Sequence, residues 1–117
     1  MKNCKELRIW QKGIDIAVSC YKLTSTFPAQ EKFTIVSQIN RAGVSIPSNI
    51  AEGSSRTSEK DYNRFVEISL GSCFELETQL LIAQKLQMGN QDLLSQALLD
   101  VQDEEKMITG FMGKLNK

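Results

Sequence analysis

At 117 residues the chain fits one domain over 1–117, long enough for a real core and too short for two. Its 41% apolar and 24% charged residues are those of a globular protein, and 14 basic against 14 acidic residues leave no global field to draw nucleic acid or an anionic membrane. No histidine occurs, which removes the commonest general base, the Ser-His and Cys-His nucleophile pairs, and the commonest metal ligand.

The first predicted helix runs from about Lys5 to Thr24. Leu7, Trp10, Ile14, Ala17 and Tyr21 recur at heptad-like spacing, and Ile9, Ile16, Cys20 and Leu23 form a second apolar stripe. Lys5, Arg8 and Lys12 share a solvated flank. The segment Thr24-Ser-Thr-Phe-Pro28 breaks the helix, and Pro28 suits the first turn of the next. That second helix is expected to be kinked at Pro47 but continuous, because the carbonyl crowded by the proline belongs to the flexible Gly43. Gly53 stands where a left-handed C-cap ends such a helix.

Ser58, with Asp61 three residues on, starts a third helix that reaches about Gln87. Its core stripe is Tyr62, Phe65, Val66, Ser69, Cys73, Leu76, Leu80 and Ala83. Leu70, Phe74 and Leu81 lie on the far side. After the turn Met88-Gly-Asn90, Asn90 caps a fourth helix with Leu94, Ala97, Val101, Ile108, Phe111 and Leu115 as its core face. Helices of this length on short connections predict an all-α, up-down-up-down four-helix bundle.

The stretch Gln38 to Gly53 carries the densest information. Ile35, Ile39, Ala42, Ile46 and Ile50 form its apolar stripe. Gln38, Arg41, Ser45, Asn49 and Glu52 form a polar seam within an arc of about 80°. Val44, Pro47 and Ala51 occupy the third side, where a surface helix would place charges. Together with Leu70, Phe74 and Leu81 they are the expected subunit contacts. On the third helix Lys60, Arg64, Glu67, Glu75 and Thr78 form a charged face around Gly71, a position that a close approach by a helix or ligand would explain. If the two faces meet, Arg41, Asn49, Glu52, Arg64, Glu67 and Glu75 converge. They then form either a register-fixing polar network or a ligand site in which Arg41 and Arg64 grip a phosphate or carboxylate, as in a nucleotide-binding bundle.

Catalysis fits poorly. Glu52, Glu67, Glu75 and Glu77 lack the Glu-x-x-His partner of a bundle metal site, so no metal or cofactor is expected. Ser45 and Ser72 have no lysine base at helical spacing, and a ribonuclease relying on an Arg and His pair is excluded. Cys4, Cys20 and Cys73 form no CxxC pair and read as reduced thiols. The first residues lack the apolar core of a signal peptide, and no run approaches the ~20 apolar residues of a membrane span, so a cytoplasmic protein is expected.

Trp10, Phe27-Pro28 with Glu31, the run Gln38 to Gly53, Gly71-Ser72 and Glu75-Leu-Glu77 span nearly the whole chain in order. In these residues the chain resembles the bacterial four-helix bundle proteins of 23S rRNA intervening sequences, also labelled S23 ribosomal proteins. The resemblance implies a homopentameric barrel with a central channel. A similar bundle is the accessory protein of the reverse transcriptase of diversity-generating retroelements, where a basic pentamer contacts nucleic acid and enzyme. It also implies seam roles for Arg41, Ser45, Asn49, Glu52 and Gly53, with Glu75 and Glu77 as partners. Many relatives carry a basic pair where this chain has Asn40-Arg41, which weakens the nucleic-acid case. The expected function is therefore that of a non-catalytic oligomeric module, with RNA or an RNA-processing enzyme as partner.

Overall fold

The computed structural model describes residues 3–115. It contains four helices: α1 (Arg8–Thr24), α2 (Ile35–Ser54), α3 (Glu59–Lys85) and α4 (Gln91–Leu115). Each packs on the next and α4 closes onto α1, giving a bundle of 44 × 22 × 19 Å. Among the described residues no helix is long and apolar enough to cross a membrane.

The chain reaches α1 through a 3-10 turn at Cys4–Glu6, because Leu7 is extended and interrupts the helix expected from Lys5. Of the two apolar stripes on α1, the second forms the core. Ile9, Ile16, Cys20 and Leu23 are buried, whereas Ile14 and Tyr21 are exposed. A heptad-like stripe is only one candidate inner face when a helix carries apolar residues on two sides.

The start of α2 also differs from expectation. Pro28 has extended backbone and leads a second 3-10 turn, Ala29–Glu31, and α2 begins only at Ile35. Phe27, just before this connection, is buried, with its ring against Gly89 in the α3–α4 turn. From there α2 runs unbroken through Pro47. Gly43, four residues earlier, is packed on α1, where a Cβ would lie 2.8 Å from Cys20 Sγ.

Gly53 is not a left-handed cap: α2 continues through it to Ser54, and the cap residue Ser55 is right-handed. A Cβ on Gly53 would lie 2.9 Å from Phe65 Cβ and 3.1 Å from the Tyr62 carbonyl oxygen. The glycine lets α2 and α3 approach backbone to backbone, a tertiary need that its position near a helix end disguises.

The remaining caps form as the sequence indicates. Ser58 Oγ accepts from the Asp61 amide at 3.1 Å and Asn90 Oδ1 from the Leu93 amide at 3.0 Å. The Asn90 amide also donates to Thr26 Oγ1 at 2.9 Å, tying the α3–α4 turn to the end of α1. Between the helices lies a core in which Ile16, Leu23, Ile39, Ile46, Ile50, Tyr62, Leu76, Leu80, Leu94 and Ile108 are fully buried. Each buried aliphatic side chain contributes on the order of 1.5–3 kcal/mol. Cys20 and Cys73 are buried in it as free thiols, and burial pushes the Cys20 thiol up to about 12 and the Cys73 thiol higher still.

Candidate site between the second and third helices

Among the described residues, serines make the side-chain hydrogen bonds that cross between α2 and α3. Ser69 Oγ, fully buried, donates to the Ile46 carbonyl at 2.8 Å, just before Pro47. Ser45 and Ser72 hydroxyls face each other at 2.8 Å. Asn49 Nδ2 donates to both the carbonyl and the hydroxyl of Ser45 at 2.9 Å, and Ser72 Oγ donates to the Ile68 carbonyl at 3.2 Å. The donors thus run in one direction, from Asn49 through Ser45 and Ser72 to a backbone carbonyl. Such a chain, with each hydroxyl both accepting and donating, fixes the relative register of two helices.

Two of the eight expected seam residues, Ser45 and Asn49, enter this network, and Ser69 and Ser72 complete it. Gln38, Arg41, Glu52, Arg64, Glu67 and Glu75 are exposed. Glu52 pairs with Arg56 within α2 at 2.7 Å, and the Arg64 guanidinium lies 5.4 Å from the Phe65 ring centre. Among the described residues no ion pair joins Arg41 or Arg64 to Glu67 or Glu75.

Register separates the two arginines. Ser45 faces Ser72 while Gly53 faces Tyr62 and Phe65, so Arg64 sits at the level of Gly53 and Arg41 just over a turn before Ser45. About twelve helical positions intervene, or roughly 18 Å. One phosphate or carboxylate does not span that distance. Glu77, expected beside the seam, turns instead towards α4, where its Oε2 accepts from Gln102 Nε2 at 3.0 Å and it shares a hydrogen bond with Glu105. Burial and this second carboxyl push Glu105 up to about 7.

One buried carboxyl escaped the sequence reading. Glu104 on α4 is fully buried, neither of its carboxyl oxygens has a hydrogen-bond partner, and burial pushes it up to about 8 against the pull of Lys12. It fits because α1 offers Gly13 at that point: a Cβ there would lie 3.3 Å from Glu104 Oε2 and 3.2 Å from Pro47 Cβ. The signal was present in the spacing, since position 104 falls on the stripe Leu94, Ala97, Val101, Ile108 that the other core residues define. The nearby Lys12 is held by Asp100 at 3.6 Å. Among the described residues no group of three or more Cys, Asp or Glu side chains is placed to hold a metal ion.

A four-helix bundle locked by a serine and asparagine seam on a proline-containing helix defines the class. The chain belongs to the 23S rRNA-intervening sequence protein family, whose pattern it matches over residues 5–110. It is similar in fold to a solved protein of unknown function from the S23 ribosomal protein family of Bacteroides thetaiotaomicron VPI-5482. The two share 23% identity and superpose with a TM-score of 0.79, covering 89% of this chain and 97% of the other. No curated protein matches the chain.

Proposed function

We propose that this protein is a non-catalytic, homo-oligomeric scaffold of the cytoplasm that presents a binding surface to RNA or to an RNA-processing enzyme. The observation that carries this reading is the pair of unlike apolar faces on one small bundle. Trp10, Ile14, Ala17, Val44, Pro47 and Ala51 line a groove of about 290 Å³ between α1 and α2. On α3, Ile68, Phe74, Leu81 and Ile82 stand exposed, Phe74 at 53% and Leu81 at 41%. Between them Gly71 has no other helix within 4 Å of where its Cβ would be, so the close approach expected there is not made among the described residues. Leu70, by contrast, packs against the core and Pro47 is buried, so each reaches a partner only at the edge of its patch.

A ridge on one face and a groove on another make a head-to-tail contact, which closes into a ring when the rotation allows. Five subunits, as the family resemblance implies, is one such closure. Exposed Gln38, Arg41, Glu67 and Glu75 then stand available to a partner macromolecule rather than to the bundle itself.

Light scattering tests the assembly: the native protein is a single oligomer at micromolar concentration, and Phe74→Glu is monomeric with unchanged helical circular dichroism. A monomeric native protein refutes the proposal. For the RNA partner, affinity falls steeply as salt rises if phosphates are contacted, and Arg41→Glu reduces the salt slope. Salt-independent binding removes RNA as the partner and leaves a protein.

A further inference from the structure

A second concavity lies away from both the serine seam and the α1–α2 groove, where the last turns of α4 meet the start of α1. Its volume is about 370 Å³, within the range of small-molecule sites. Its apolar lining, Leu7, Ile9, Met107 and Phe111, is buried or half-buried, whereas its cations Arg8, Lys106 and Lys114 are exposed. Glu6 is the one acidic residue in the lining. Among the described residues none of the three cations is in an ion pair.

The lining is therefore two-part, apolar below and cationic above. α1 adds to the positive field, since its first turn holds no acidic residue and no side chain caps it. We propose that this groove binds a single-chain anionic amphiphile, a medium-chain carboxylate. Its tail lies on Leu7, Ile9, Met107 and Phe111, and its head is taken by Arg8, Lys106 and Lys114.

Charge complementarity selects this occupant. A neutral lipid leaves three cations unanswered. An RNA base would find one aromatic ring in the lining, Phe111, which already packs against Tyr62 at 5.8 Å between ring centres. Gly110 is exposed, lines the groove, and among the described residues no other helix comes within 4 Å of its Cβ position. A larger side chain there would project into the tail's path while improving the helix, so the position is a clean place to close the groove.

The test uses the whole chain in its native assembly, with decanoate, decanol and acetate as probes below any micelle concentration. Binding is read by titration calorimetry and by the shift in melting temperature. Decanoate raises the melting temperature and binds at least about tenfold more tightly than decanol, as expected for a charge-assisted contact, while acetate has no effect. Gly110→Phe abolishes decanoate binding. The double reversal Lys106→Glu with Lys114→Glu weakens decanoate about tenfold and leaves decanol unchanged. Equal affinity for decanol and decanoate, decanoate binding unaltered by a folded Gly110→Phe, or no response to decanoate overturns the proposal. Should Gly110→Phe fail to fold, the charge reversal decides alone. Lys106 also borders Phe74, so light scattering of each variant reads the assembly separately from decanoate binding.

Discussion

Replacing Glu104 by glutamine tests whether a neutral acid sits in the core. The carboxyl is fully buried without a hydrogen-bond partner, and burial raises it from 4.5 to about 8. Between those two values the unfolded chain has lost the proton and the folded chain keeps it. The unfolded state therefore binds fewer protons, and stability falls as pH rises. The contribution is fully present below about pH 4.5 and is exhausted by about pH 8. Each unit of difference corresponds to about 1.4 kcal/mol, so the native protein loses roughly 3–4 kcal/mol from this group between about pH 5 and pH 8. Glu105, raised from 4.5 to about 7 beside Glu77, adds a smaller loss of the same sign.

Glu104→Gln keeps the volume and does not ionise. Its amide needs partners of its own, at a cost of about 1–3 kcal/mol that does not depend on pH. The slope, not the absolute stability, is thus the readout. Urea unfolding followed by circular dichroism across this pH range, at fixed protein concentration, gives that slope. The variant is expected to lose most of the pH dependence and retain only the part due to Glu105. A variant that declines with pH as steeply as the native protein refutes the assignment, because some other group would then be titrating.

Ser69→Ala removes the donor to the Ile46 carbonyl beside Pro47 and is expected to cost about 1–3 kcal/mol in the same assay, whereas Thr78→Ala, at an exposed hydroxyl bonded only within its own helix, stays within about 0.5 kcal/mol. Gly53→Ala drives a methyl to within 2.9 Å of Phe65 Cβ and is expected to destabilise by about 1–3 kcal/mol, even though alanine is the better helix former. Equal stability of Gly53→Ala and the native protein in thermal melts would refute the close-approach account of that glycine.

Local signals were legible in the sequence. Ser58 and Asn90 announce helix starts because a cap is a contact within four residues. The stripes of α3 and α4, Phe65 apart, identify their core faces because the helical period is local to each element. What depends on a neighbour was not legible. Gly53 near a helix end reads as a cap, and only the presence of α3 turns it into a contact point. Glu77 and Glu75 differ by two positions, yet one turns to α4 and the other to solvent, since the wheel angle does not say which helix lies beyond it. Glu104 was overlooked for the opposite reason: its spacing marked it as core, but its charge argued otherwise, and no residue type in the sequence reveals Gly13 waiting opposite.

The two buried thiols make the bundle its own reporter. Cys20 lies against Gly43 at the α1–α2 seam, while Cys73 sits on α3 within the field of Glu104, Glu105 and Glu77. Both are held protonated and out of contact with water, and only a thiolate attacks an alkylating reagent. Their labelling rates in the native chain thus count openings of two different walls of the same barrel. Cys4, half-buried at the entrance to α1, supplies an internal reference in the same mass spectrum. A ligand or subunit that clamps one wall slows one thiol and not the other, locating itself without any mutation.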